Sequence, residues 1–270
     1  MRLNLLLRCF AVLLAITGPA RAADVDADAL AAADDAITVL RSRVASVSGC
    51  DNHYTVYRTK NAAPAPLVLI VPGFMRDQDR MRGWAQALAQ RGFVAATMDF
   101  CRPTAFDGRH AENARDMIAV RRALGAPEVV YIGHSAGGLA ALLAASEDPA
   151  ARGMVLLDPV DFAGLGRDAA ARNHVPGIAL LAAPGTCNLR NNMQRALDRM
   201  PAVATTPIEI ATHCDFEWPP DGLCRAVCDF GGPEREQRIV AEQRIRNLAM
   251  GFVDALRSAS TLAPPEDEQR

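Results

Sequence analysis

The chain has 270 residues, 50% of them apolar and 22% charged, a globular composition that excludes a disordered or fibrous protein. Its formal net charge of −2 offers no basic surplus for nucleic acid, and aromatics at 5% are too sparse for an aromatic-rich β-sandwich or a base-stacking platform. The length suits one large α/β domain or two small ones.

The N-terminus reads as a leader rather than as part of the fold. Arg2 and Arg8 precede an apolar run over residues 9–16, which Gly18 and Pro19 break. The run is too short to span a bilayer. Ala20-Arg21-Ala22 has the small-x-small form of a signal peptidase site, so residues 1–22 are expected to be a secretory signal peptide, with an uncleaved anchor as the alternative. A secreted or periplasmic location follows, with no membrane span after signal cleavage.

Residues 24–47 are rich in Ala and Asp, and Leu30, Ile37, Leu40, Val44 and Val47 fall at loosely helical spacing, which predicts a leading helix. Residues 54–59 alternate as a strand does, and residues 67–71 form the continuous β-rich run of a strand buried on both faces. Helical periodicity follows over 81–90, a strand over 93–98, and a helix over 111–124 that Gly125-Ala126-Pro127 ends. A strand over 128–132 and a helix over 137–146 come next. Further strands are predicted over 154–157, 178–181 and 208–211, then a closing helix over 235–256. From Ala259 the Pro- and Glu-rich composition suggests a flexible tail, residues 259–270. The alternation implies an α/β fold with a mostly parallel central sheet and helices on both faces, in one domain over residues 23–258. The connection over 160–176 is too short for a large lid.

Apart from Cys9, six cysteines remain: Cys50, Cys101, Cys187, Cys214, Cys224 and Cys228. An even number in an exported chain points to disulfides, and six cysteines allow fifteen pairings. Cys187 and Cys214 follow neighbouring predicted strands, so one of the fifteen is Cys187–Cys214, Cys224–Cys228 and Cys50–Cys101. His213 clusters with Cys214, Cys224 and Cys228, but the spacings fit no standard zinc finger, so no metal is expected.

Gly133-His134-Ser135-Ala136-Gly137 matches the G-x-S-x-G nucleophile elbow. An apolar strand leads in and an Ala/Leu-rich helix leads out, the context that lifts a serine above a sheet. His134, inside the elbow, is expected to line the site. On these residues the chain resembles the α/β-hydrolase family. Within it, the resemblance is to the lidless branch of dienelactone hydrolases, chlorophyllases and cutinase-like polyester hydrolases. Val71-Pro72-Gly73-Phe74 resembles their oxyanion loop, residues 133–138 their elbow, and Leu157-Asp158-Pro159-Val160-Asp161 the segment carrying the chlorophyllase acid.

The resemblance implies a cofactor-free serine hydrolase that cleaves small or polymeric carboxylic esters through a Ser-His-Asp triad and an acyl-enzyme. Ser135 is the implied nucleophile. The family order Ser, acid, His points to His213 as base rather than His53, His110 or His174. Asp158 is the expected acid, with Asp161 next and Asp198 or Asp215 behind. In much of the family the acid follows the next strand, but residues 182–188 hold Asn188 and no carboxylate. The backbone N–H groups of Phe74 and Ala136 are the implied oxyanion donors, and Phe74, Met75 and Trp218 are expected to line the substrate site beside His134. An amidase or thioesterase on the same triad, or a non-catalytic binding protein on the same fold, is the alternative reading.

Overall fold

The computed structural model describes residues 37–60, 62, 65–101, 109–229 and 232–262. The expected signal peptide and most of the expected leading helix lie outside these residues. Among the described residues, eight strands form one sheet in the order β1-β2-β4-β3-β5-β6-β7-β8. They are β1 (Ile37–Ala45), β2 (Asp51–Thr59), β3 (Leu67–Val71), β4 (Ala95–Met98), β5 (Val129–His134), β6 (Ala151–Leu157), β7 (Gly177–Ala182) and β8 (Val203–Ile208). β1 and β2 are antiparallel additions at one edge, and β4 through β8 run parallel with β3. The helices are α1 (Arg82–Gln90), α2 (His110–Ala123), α3 (Ala136–Glu147), α4 (Leu165–Ala170), α5 (Gln194–Leu197), α6 (Gly222–Cys228) and α7 (Arg235–Leu262).

The continuous apolar strands are explained by two cores. In β3, Leu67, Leu69 and Val71 pack with Met117 of α2 and Leu139–Leu143 of α3 on one face. Val68 and Ile70 pack with Trp84 and Leu88 of α1 and Ile245 and Val253 of α7 on the other. A parallel strand covered on both sides has no polar face to show, so its sequence reads as an unbroken run. Between β6 and β7 the chain makes only the six-residue α4, and no large lid stands there.

Several elements differ from the sequence expectation, three of them with a readable physical cause. Residues 37–45 form a strand, not the end of a helix, because they pair antiparallel along the whole of β2. Their exposure hides the alternation: β1 is an edge strand with Val39 and Leu40 half exposed. The last strand covers 203–208 rather than 208–211. It contains Pro207, which a central strand would exclude but an edge strand tolerates. The closing helix continues to Leu262, past the start expected for the tail, and stops just before Pro264.

The disulfides correct the sequence pairing at two of three places. Cys50 joins Cys101, as expected, but Cys187 joins Cys228 and Cys214 joins Cys224. Cys224 and Cys228 are one turn apart on α6, so both project from one face and reach two different loops instead of each other. Peptide mapping of non-reduced protein should recover the 187–228 and 214–224 cross-links and no free thiol among these six. A 187–214 cross-link would refute this pairing. Each bridge contributes roughly 2–4 kcal/mol, so reduction should lower the thermal midpoint.

Candidate active site

Ser135 sits between β5 and α3 with φ 56° and ψ −121°, a conformation costing roughly 1–3 kcal/mol that the surroundings must hold. They do so through its backbone: the Ser135 N–H donates to the Leu157 carbonyl at 2.9 Å, and its carbonyl accepts from Gly138 at 2.9 Å and Val160 at 3.2 Å. Gly133 and Gly137 are required by close approach. A Cβ on Gly133 would strike the Gly137 backbone, and one on Gly137 would strike the Pro72 carbonyl. The loop after β3 therefore lies directly against the elbow. A Cβ on Gly73 would stand 3.0 Å from the Ser135 Cβ. Ala136 opens α3, where a backbone N–H has no intrahelical acceptor.

β5 and β6 are paired in register up to His134 and Leu157, so Ser135 and Asp158 leave the sheet side by side. Asp158 is fully buried and has φ 44°. Its Oδ2 lies 2.6 Å from Nδ1 of His213, and its Oδ1 accepts the Ala182 N–H at 2.9 Å. His213 opens a 3-10 turn, His213–Phe216, after β8, and Asp215 caps that turn by accepting from the Thr212 N–H at 2.8 Å. The other carboxylates considered from sequence are engaged elsewhere. Asp161 accepts the Gly166 N–H at 2.7 Å at the start of α4, and Asp198 is exposed and bonded to Gln194.

Sequence reasoning missed one residue that supports these groups, Asn188, and gave another, His134, a different role. Asn188, almost fully buried, donates from Nδ2 to both Asp158 oxygens at 3.2 and 3.3 Å and accepts the Gly185 N–H at 2.8 Å. The only sequence hint was its place in the loop after β7. His134 is buried, and its ring centroid lies 4.6 Å from that of His213. Its Nε2 donates to the His213 carbonyl at 3.0 Å. It therefore supports the His213 loop from beneath rather than presenting a wall to substrate.

Burial, with the neighbouring His213 adding to it, holds the His134 pKa well below its usual 6.5. The unfolded chain thus takes up a proton near pH 6.5 that the folded chain refuses, and stability falls as pH drops through that value. His134→Gln, which keeps a donor, should lose less of its thermal midpoint between pH 7.5 and 5.5 than the wild type. Parallel losses would contradict this.

Of the other expected lining residues, Phe74 is half-buried and Met75 is 74% exposed, with φ 55°. Trp218 needs correction. Its indole packs over Gly83, meets Trp84 edge-on at 5.9 Å and carries the Arg246 guanidinium at 4.1 Å. It belongs to the groove between α1 and α7, not to the cleft. A cleft of about 380 Å³ does adjoin His213, walled by Pro184, Cys187, Ile210 and Pro233.

A mostly parallel sheet covered on both faces, with a serine elbow at the end of its fifth strand, defines an α/β hydrolase. The model of the PET hydrolase-like family matches residues 17–165, more than half of the chain, and the chain belongs to that family. A Klebsiella pneumoniae subsp. pneumoniae protein assigned as a dienelactone hydrolase shares the fold at a TM-score of 0.54 and 17% identity, over 78% of this chain and 97% of that one. In all, 1086 chains of known structure match, so the fold by itself does not narrow the activity. No curated protein matches the chain.

Proposed function

We propose that the protein is an exported serine hydrolase that cleaves carboxylic esters. The observation that carries this reading is the 2.6 Å contact between His213 and a fully buried Asp158, at the same sheet edge as the strained Ser135. Ser135 attacks the ester carbonyl while Nε2 of His213 takes its proton. Asp158 fixes the tautomer with a proton on Nδ1 and stabilises the imidazolium. The backbone N–H groups of Phe74 and Ala136 receive the developing oxyanion. Protonated His213 returns its proton to the leaving alcohol, and water repeats the sequence on the acyl-enzyme. No cofactor enters these steps.

Membership of the PET hydrolase-like family and the absence of a large lid support an open cleft and polyester chains as one substrate class, beside small esters. The half-buried Phe74 and exposed Met75 offer apolar surface in the loop that lies against the serine elbow. The leader over 1–22 and three disulfides support export of a mature chain that begins after Ala22. No described helix is long and apolar enough to cross a membrane.

The test is a panel of p-nitrophenyl esters of rising acyl length, run beside the corresponding anilides and thioesters, with fluorophosphonate labelling of the folded protein. Ester turnover and stoichiometric labelling are expected. Faster turnover of anilides or thioesters would move the reading to those substrates. Absence of both turnover and labelling would favour a binding protein on this fold.

A further inference from the structure

Arg76 stands two residues beyond Phe74, in a turn closed by its N–H on the Gly73 carbonyl at 3.3 Å. Met75, inside that turn, has a left-handed backbone and a solvent-exposed side chain, so it does little to anchor the loop. The Arg76 guanidinium does anchor it. Nε donates to Oε1 of Glu217 at 2.6 Å and Nη2 to Oε2 at 2.8 Å, a bidentate fork, and Nη2 lies 2.7 Å from Oδ2 of Asp221. Arg80 reaches the same Asp221 oxygen at 3.4 Å.

These carboxylates belong to the loop of His213. Glu217 directly follows the 3-10 turn that His213 opens. Asp221 caps α6 by accepting the Cys224 N–H at 2.9 Å, and Cys224 is bridged to Cys214, the neighbour of His213. Three more bonds fasten the same seam. Trp218 N–H donates to the Arg80 carbonyl at 2.7 Å, Gly83 N–H to the Trp218 carbonyl at 2.7 Å, and Trp84 Nε1 to the Phe216 carbonyl at 3.0 Å.

The Glu217 side chain is wholly buried and that of Arg76 nearly so. Burial pushes the Glu217 carboxyl up from its usual pKa, against the opposing pull of Arg76. A buried ion pair is a poor source of stability, because desolvation offsets most of the attraction and apolar residues of similar volume often do as well. What the fork supplies is geometry: a planar, two-point fix between a loop near residue 74 and a loop near residue 213.

We propose that Arg76 is a positioning residue for oxyanion stabilisation. Its fork on Glu217 locks the Gly73–Arg76 turn to the His213 loop, so that the Phe74 N–H and Nε2 of His213 address one substrate carbonyl. This rests on the ester-hydrolase reading above. An interaction that matters only as charge develops on the carbonyl oxygen acts on kcat rather than KM. Arg76→Lys keeps the charge and loses the fork. Glu217→Gln keeps the shape and loses the charge.

The experiment compares an oxygen ester with its thionoester, in which the carbonyl oxygen is replaced by sulfur, a weak hydrogen-bond acceptor. The ratio of their kcat/KM values reads the oxyanion donors, whereas a general loss of structure lowers both substrates together. Wild type should strongly prefer the oxygen ester. Arg76→Lys and Glu217→Gln should lose about tenfold to a hundredfold in kcat on the oxygen ester, below the ~10²–10³ for outright removal of one donor. KM should change little and thionoester turnover should fall less, so the ratio drops. A ratio held at the wild-type value, whether or not activity declines, overturns the positioning role. If the wild type itself shows no preference for the oxygen ester, it is the ester-hydrolase reading with its oxyanion donors that fails. Should the single variants not fold, the apolar pair Arg76→Met/Glu217→Leu replaces the fork with matched volume. It is expected to fold with the lowered ratio, and a wild-type ratio there also overturns the proposal.

Discussion

Ser135→Ala should abolish ester turnover, by a factor on the order of 10⁶ in kcat as for other serine nucleophiles, while leaving the thermal midpoint almost unchanged. The substitution removes one oxygen. It leaves intact the backbone hydrogen bonds that hold the elbow, among them those to Leu157, Gly138 and Val160. The glycines that allow the strand and helix to meet are also untouched. The backbone strain at φ 56° remains, since Ala tolerates that region no better than Ser. Ester kinetics, fluorophosphonate labelling and thermal melting of one preparation check the result. Retention of more than a few per cent of activity by purified variant would remove Ser135 from the chemistry.

Asp158→Asn should lower kcat on the scale of ~10⁴, the loss that follows when a triad acid becomes an amide. The surroundings leave the amide no good choice. The Ala182 N–H donates to Oδ1, so the amide oxygen is drawn to that side and its NH₂ is turned to Nδ1 of His213. A donor there favours the tautomer with the proton on Nε2, which is unable to accept one from Ser135. Asn188 compounds the problem, because its own NH₂ points at the same group and requires acceptors. Asp161→Asn should cost far less, since an amide oxygen still accepts the Gly166 N–H. Steady-state kinetics of the two variants side by side decide the matter. A severe Asp161 variant beside a mild Asp158 variant would exchange their roles.

What was legible in the sequence was local. The elbow needs only neighbours in the chain, a strand before Ser135, a helix after it and glycines where backbones touch, so Gly133–Gly137 declared itself. β3, β5 and β7 declared themselves because burial on both faces writes an unbroken apolar run. β1 did not, since a strand exposed along much of its length has no hydrophobic period to detect. Pro207 disguised β8. The supports of the site were hidden for another reason. Arg76 and Glu217 are 141 positions apart, and each taken alone is an ordinary surface-type residue. Trp218 looked like a cleft residue by its distance from His213 along the chain, yet Gly83 leaves a space on α1 that the indole fills. Two of the three disulfide pairings failed for a helical reason, since a turn of α6 presents two thiols to two loops.

The two ends of the sheet bear on how such a protein behaves when crowded. Pro207 takes one N–H out of the outer ladder of β8, and Arg41 sets an exposed positive charge on β1, where Arg43 is paired with Asp51 at 2.8 Å. A foreign strand approaching either rim meets a missing donor or charged side chains, so neither rim is a good template for further growth of the sheet. With both rims closed in this way, copies brought to high local concentration do not knit together through their sheets.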